Sequence, residues 1–138
     1  MDGIQGAILS VKLKTLSAAN DARRAHARLY GDLLSGVEQI ILPVEAPYTK
    51  HVYHIYAIQA EKRDELISRL ATKEIACGIH YPVPLHLQEA YASMHLAKGA
   101  FPVAEESAQK YVSLPMFPEL ADDQIRYVCD ELKAALIT

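Results

Sequence analysis

The chain has 138 residues, of which 51% are hydrophobic and 22% charged, a composition typical of one globular domain with its own core. Its net charge of -3 argues against general attraction to nucleic acid or to anionic membranes, and no apolar run reaches the roughly 18 residues of a membrane span. Acidic Asp2, with no basic flank before an apolar stretch, does not resemble a signal peptide. Cys77 and Cys129 are therefore expected to be reduced thiols in a cytoplasmic protein.

The first predicted element is a long helix over residues 2–34, because apolar residues recur there at spacings mostly of three and four. We expect a kink near Thr15, with a second helix starting at Ser17. Between residues 4 and 16, apolar side chains cover much of the circumference and need a cover. This half is either a core helix of the domain or an arm that packs on a missing domain or a second subunit.

A sheet is predicted after Gly36, which ends the helix. Residues 40–44 form an edge strand, and residues 52–60, rich in aromatic and β-branched side chains, form the strongest strand. Apolar groups on both of its faces indicate a central strand that is covered on both sides. His51 and His54 are expected on opposite faces at the edge of the core, where they cannot share a metal ion.

Helices and extended pieces alternate in the rest of the chain. Helices are predicted over residues 61–73, 87–96, from Pro102 onward and over 122–136, with a strand over 75–81 and an extended piece over 113–116. In the helix from Pro102, the residues expected to face inward are Val103, Ala104, Ala108 and Tyr111. The predicted fold is a small α+β or α/β domain, with three or four strands and helices mainly on one face. We expect a single domain, in which residues 1–36 form a helical arm and residues 37–138 a sheet-and-helix unit.

The segment over residues 77–88 is the candidate ligand-binding stretch. It is predicted as a strand that leads into a loop stiffened by Pro82 and Pro84. A rigid loop that carries His80, Tyr81 and His86 away from a strand end can hold a ligand. The alternative is a proline-rich connector whose histidines are polar and nothing more.

The chain shows no complete catalytic machinery of its own. It contains no glycine-rich phosphate loop and no Gly-x-Ser-x-Gly motif. Cys77 and His80 would point to opposite faces of a strand, and His80 with His86 lacks a third metal ligand. Glu105 and Glu106 are expected on a solvated helix face. We therefore predict no catalytic, cofactor-binding or metal-binding residue, and a domain that shapes a site.

Short motifs follow one another in order along nearly the whole chain: DGIQGAIL at 2–9, HVYH at 51–54, RDEL at 63–66, GIHYPVPLHLQ at 78–88, FPVAE at 101–105, SLPMFP at 113–118 and LADDQ at 120–124. Together they resemble the DegT/StrS group of nucleotide-sugar aminotransferases. In the last motif, Ala121 stands where that family has a threonine able to cap the final helix.

This resemblance implies the small C-terminal domain of a fold-type I pyridoxal-phosphate-dependent transferase. Such enzymes move an amino group, usually from glutamate, to a keto sugar attached to a nucleotide. They need a lysine that forms a Schiff base with the cofactor, an acid at the pyridine nitrogen and groups that bind the phosphate. In the family these lie in the large domain, so we expect that the large pyridoxal-phosphate-binding domain is absent here and that this chain alone binds no cofactor. No lysine of the chain sits in the Schiff-base motif; the lysines are Lys12, Lys14, Lys50, Lys62, Lys73, Lys98, Lys110 and Lys133.

The resemblance also implies a role for the candidate stretch. It assigns His80 to the substrate side of the cleft, where it can contact the nucleotide sugar, with Tyr81 and His86 as neighbours. We expect a partial sugar aminotransferase that shapes this site and packs the dimer, but does not transaminate alone. Its arm would meet a second copy or a separate large domain. The alternatives are an interaction module and a free-standing nucleotide-sugar binder.

Overall fold

The computed structural model describes residues 1–137, and over these it contains four α-helices and one antiparallel sheet. In chain order the elements are α1 (Gly3–Leu34), β1 (Ile40–Ile41), β2 (Tyr56–Ala60), α2 (Arg63–Ala71), α3 (Pro102–Lys110), β3 (Tyr111–Leu114) and α4 (Asp122–Leu136). Two 3-10 turns, Leu85–Leu87 and Glu89–Met94, lie between α2 and α3.

Helix α1 is one unbroken element, so the predicted start of a second helix at Ser17 is wrong. No proline within it removes a backbone donor, and Asp2 at its start donates its N–H to Gln5 Oε1 over 3.2 Å. The second half of α1 joins the core, where Tyr30 and Leu34 are fully buried. The first half carries apolar side chains into solvent; these are Ile4, Ile8, Leu9, Val11, Leu13 and Leu16.

The sheet has the order β1-β2-β3, which confirms the prediction of a central second strand. Tyr56, Ile58 and Ala60 of β2 are buried in the core. Residues of α1, α2 and α4 belong to the same core cluster. Ala57 and Gln59 alternate with them and are only half-buried. Cover on the two faces is therefore unequal: the face of Tyr56, Ile58 and Ala60 is buried, and the face of Ala57 and Gln59 is only partly covered.

Strand β2 is shorter than predicted and begins at Tyr56. Tyr56 pairs with Leu114, and the next residue of the partner strand, Pro115, has no N–H to continue the ladder. Tyr53 has a positive φ of 49°, which turns the chain away from an extended course. His51 and His54 therefore precede the strand and are exposed, so their prediction as core-edge residues is wrong.

The strand predicted over residues 75–81 is wrong, since only Gly78 pairs with the sheet. Its N–H donates to the Ser113 carbonyl over 2.9 Å, and the Ser113 N–H donates back over 2.8 Å. Two residues earlier, the position opposite Ala76 in this register is Pro115, which cannot donate. The fourth strand is thus reduced to a single bridge beside β3.

Helix α3 begins with Pro102 at its first position, as predicted, but it buries a different face. Val103 and Ala104 are exposed, whereas Glu105 is 8% exposed and Ala108 is buried. The prediction of a solvated Glu105 is therefore wrong. Helix α4 matches its predicted bounds and buries Ile125, Val128 and Leu132, with Leu136 half-buried.

Candidate functional site

A cavity of about 650 Å³ lies between α3 and the loop that follows Gly78. Side chains from the loop, from the start of α3 and from β3 line it, among them His80, Tyr81, Val83, Phe101, Ser107 and Tyr111. Its walls are chiefly apolar, with an imidazole and hydroxyl groups as polar points. This combination is typical of sites that hold an organic ligand and orient it through a few hydrogen bonds.

His80 lies where three hollows meet. Besides the main cavity, it lines a hollow of about 360 Å³ over Ala57 and Gln59 on the open face of the sheet. It also lines one of about 380 Å³ shared with His54 and Ser113. A single exposed imidazole therefore borders three hollows, in which a ligand could contact it.

The His80 ring is held by the sheet edge. Its Nδ1 lies 2.9 Å from the hydroxyl of Ser113, which is buried and whose backbone pairs with Gly78. A hydroxyl can donate or accept here, so this contact suits either tautomer of the ring. With Nδ1 occupied, Nε2 is the nitrogen left to meet a ligand.

Gly78 gives this imidazole its space. A Cβ atom at residue 78 would lie 2.8 Å from Cε1 of His80, closer than real Cβ contacts allow. The ring can occupy its place against Ser113 only while residue 78 has no side chain.

Tyr81 presents its side chain to solvent at the rim of the cavity and is 69% exposed. Its ring meets the His80 ring edge to face, with centroids 5.5 Å apart, and the peptide bond between them is cis. The structure thus brings together two of the three predicted site residues, while their contact with a substrate stays a prediction.

His86, the third, lies apart from them. Its side chain is 7% exposed, and its Nε2 lies 2.9 Å from Oε1 of Glu105. The ring also packs edge to face on Phe101, with centroids 4.9 Å apart. His86 therefore contacts the protein interior, and its predicted role toward substrate remains a prediction.

Glu105 is a functional candidate that sequence reasoning missed. Its carboxylate accepts the N–H of Gly99, over 2.8 Å to Oε1 and 2.9 Å to Oε2, and that of Phe101 over 3.3 Å. We call Glu105, His86, Gly99 and Phe101 the Glu105 cluster. The sequence signal for Glu105 was an acidic residue in the first turn of the helix that begins at Pro102. The N–H groups of a first helical turn have no partner within the helix and favour a nearby carboxylate.

The hydrogen bonds of the Glu105 cluster decide the charge of Glu105. Burial alone raises the pKa of this carboxyl, but the Gly99 amide, the His86 ring and the Phe101 amide together lower the pKa below its ordinary value. Glu105 is thus an anion at neutral pH.

A second polar cluster borders the open face of the sheet. Arg24 of α1 donates to both oxygens of Glu45, over 2.6 Å and 3.1 Å, and to the His51 carbonyl. Glu45 also accepts the His51 N–H over 2.7 Å. The bond from Arg24, followed by that from His51, lowers the pKa of Glu45. These contacts hold the segment before β2 against α1.

The thiols are not activated. Burial raises the pKa of Cys77 and of Cys129 to about 11, so both are neutral at physiological pH. Within residues 1–137, no group of three or more histidine, cysteine or acidic side chains is placed to hold a metal ion. In the same residues, no helix is long and apolar enough to cross a membrane.

Comparison with known proteins gives the family. Residues 1–133 match the model of the DegT/DnrJ/EryC1/StrS aminotransferase family. The chain belongs to this family. The resemblance seen in the ordered motifs is therefore confirmed.

Individual relatives agree with the family match. The chain is 42% identical to the pleiotropic regulatory protein of Geobacillus stearothermophilus over 96% of its own length and 36% of that protein. It is 40% identical to dTDP-3-amino-3,4,6-trideoxy-alpha-D-glucose transaminase of Streptomyces venezuelae, over 96% of this chain and 35% of that enzyme. It superposes on the crystal structure of S. venezuelae DesV in complex with a ketimine intermediate with a TM-score of 0.93, covering 97% of this chain and 36% of that one. The chain thus spans about a third of these relatives, and its fold is that of a part of an aminotransferase.

The residues present do not by themselves fit pyridoxal phosphate, the cofactor of this family. The side chains described around the His80 cavity include no lysine to bond its aldehyde and no carboxylate to face its ring nitrogen. Lys110, near the end of α3, is instead held between Glu61 and Glu106 over 2.7 Å and 2.8 Å. No chemical step through the cofactor follows from these residues.

Proposed function

We propose that this chain is the C-terminal part of a sugar aminotransferase, which shapes the nucleotide-sugar site and does not transfer amino groups alone. Family membership supports the class of activity. The His80 cavity supports the proposal that this chain shapes the site while the reactive amine comes from another part of the enzyme. That cavity offers apolar walls, an imidazole and hydroxyls to a ligand, but no amine that could carry the reaction.

In this proposal His80 and Tyr81 contact the nucleotide sugar. The free Nε2 of His80 donates to a sugar hydroxyl or phosphate oxygen, while Ser113 holds Nδ1. Tyr81 supplies an exposed aromatic face and a hydroxyl at the rim. His86 is the third proposed substrate-binding residue; its Nε2 lies 2.9 Å from Glu105 Oε1.

Amino transfer by the purified chain tests the central part of this proposal. The chain is incubated with pyridoxal phosphate, glutamate and a dTDP-linked keto sugar, and the products are separated by mass spectrometry. We expect no amino sugar above the level of a protein-free control. An amino sugar formed in proportion to the concentration of the chain would contradict the proposal.

The exposed half of α1 favours a second function, that of an interaction module. Ile4, Val11 and Leu13 are 70%, 66% and 68% exposed, so this end of the helix carries apolar surface that the described part of the chain does not cover. A second copy or a separate large domain would bury it and gain its hydrophobic free energy.

Sedimentation over a range of concentrations tests this function. We expect the chain to associate as concentration rises, and Val11→Ser with Leu13→Ser to weaken association. Lys14→Ser, on the same exposed turn, is the matched control and should leave association unchanged. A monomer at every concentration, with no partner bound, would exclude self-association through the arm.

A free-standing nucleotide-sugar binder is the third function. Titration with dTDP-glucose compares the wild type with His80→Ala. Because the change removes one hydrogen-bonding ring, we expect the dissociation constant to rise by about tenfold. Equal affinities would show that His80 does not contact this ligand.

A further inference from the structure

The loop over residues 79–101 forms much of the cavity wall without a fully buried hydrophobic anchor of its own. In this stretch no residue is fully buried, and several large apolar side chains, including Val83, Leu85 and Met94, are exposed. No fully buried apolar side chain therefore anchors the loop, and polar contacts have a larger share in holding its conformation.

The Glu105 cluster joins the first 3-10 turn of this loop to the residues just before α3. His86 belongs to that turn, while Gly99 and Phe101 lie directly before α3. All three donors converge on one carboxylate, whose side chain is 10% exposed. Charge-assisted hydrogen bonds of this kind are about twice as strong as neutral ones, and more so when water is excluded.

We propose that Glu105 is the positioning residue of the His80 cavity, which sets the place of the loop wall by holding His86, Gly99 and Phe101 together. Val83, Pro84 and Phe101 of this wall line the cavity, whereas Glu105 itself does not. Glu105 thus acts on a ligand only through the loop. Its effect on affinity rests on the proposed function, but its effect on the loop does not.

Amide hydrogen exchange of the full chain, followed by NMR, tests the hold on the loop. Glu105→Gln keeps the size of the side chain and removes its charge and one acceptor. We expect the amides of Gly99 and Phe101 to exchange about tenfold faster, while Ile58 and Val112 in the sheet keep their rates. Glu106→Gln is the matched control. The Glu106 carboxylate is exposed and accepts a hydrogen bond from Lys110 over 2.8 Å, outside the Glu105 cluster, so this change should leave all four exchange rates unchanged.

Two results of the exchange experiment would overturn the proposal. Unchanged exchange at Gly99 and Phe101 in Glu105→Gln would show that the carboxylate does not hold the loop. An equal rise at Ile58 and Val112 would show that Glu105 supports the whole fold and not one wall. If Glu105→Gln fails to fold, His86→Gln is measured in its place, with the same expectation and the same two contradicting results.

Binding of dTDP-glucose then tests the consequence for the site. We expect its dissociation constant to rise about tenfold in Glu105→Gln and to stay unchanged in Glu106→Gln. Faster loop exchange with unchanged affinity would overturn the positioning role. If the wild type does not bind the probe, the proposed nucleotide-sugar site fails instead, and the exchange rates alone decide the inference.

Discussion

At the scale of single residues, the contact between Gly78 and His80 makes a specific prediction. In Gly78→Ala, the new Cβ would lie 2.8 Å from His80 Cε1, so the exposed ring must move and lose its hydrogen bond to Ser113. We expect a loss of about 1 kcal/mol in the free energy of unfolding, with a large change in the His80 ring resonances. Gly31→Ala is the control for the His80 resonances, because nothing lies within 4 Å of its new Cβ; its own effect on stability should be a gain of up to about 1 kcal/mol, since residue 31 lies inside α1. His80 resonances that stay in place would contradict this account.

Acid stability gives a second prediction at this scale. The pKa of Glu45 is lowered from 4.5 in the folded chain by Arg24 and His51. A lowered folded pKa stabilises the fold above the unfolded pKa, and this stabilisation is lost as pH falls through the folded value. We expect the free energy of unfolding to fall below about pH 5, and to fall less in Glu45→Gln than in the wild type. Parallel pH profiles for the two proteins would show that Glu45 has the same pKa folded and unfolded.

Sequence reasoning named His80, Tyr81 and His86 as candidates and missed Glu105, which bonds His86. His80 and Tyr81 stand beside prolines that keep the chain extended, a local effect that a pattern reveals. Glu105 faces inward because three donors outside the interior of α3, at His86, Gly99 and Phe101, converge on it. A carboxylate is buried only when hydrogen-bond partners offset the free energy of its desolvation. The spacing of residues along α3 does not reveal which groups outside the helix will be those partners.

At the scale of elements, the start of α4 offers a stabilising change. Ala121 is the N-cap, and Gln124 Oε1 accepts its N–H over 3.0 Å, which is one half of a capping box. A methyl group cannot accept the hydrogen bond that forms the other half. Ala121→Ser supplies that acceptor, and we expect a gain of about 1 kcal/mol in urea-induced unfolding. Ala134→Ser, an exposed position inside the same helix, should give no gain; a similar gain from both changes would contradict a capping effect.

The elements differ in how far sequence alone could predict them. The predicted bounds of α4 were correct because its buried apolar stripe and the acidic residues of its first turn both indicate the same helix. The strand over 75–81 failed because strand pairing depends on the partner: Pro115 withholds a donor, and only Gly78 pairs. The same proline is also the reason that β2 begins no earlier than Tyr56. A pattern of apolar residues carries no information about such a partner.

At the scale of the whole molecule, the described part of the chain combines a buried core with large areas of exposed apolar surface. Its core buries residues from α1, α2, α4 and the sheet on one side. The other side of the sheet, the His80 cavity and the first half of α1 present apolar surface. Relatives about three times as long contain this same fold as a part. We infer that the open surfaces are those that complete a site together with another unit.

Covalent labelling by pyridoxal phosphate tests the central claim most directly. The chain is incubated with the cofactor, reduced with borohydride and digested, and the modification of each lysine is measured by mass spectrometry. We expect low labelling spread over the exposed lysines, including Lys12, Lys62 and Lys98, because the cavity residues provide no amine. One lysine modified to near completion, with the others spared, would contradict the claim that this chain shapes the site without supplying its reactive amine.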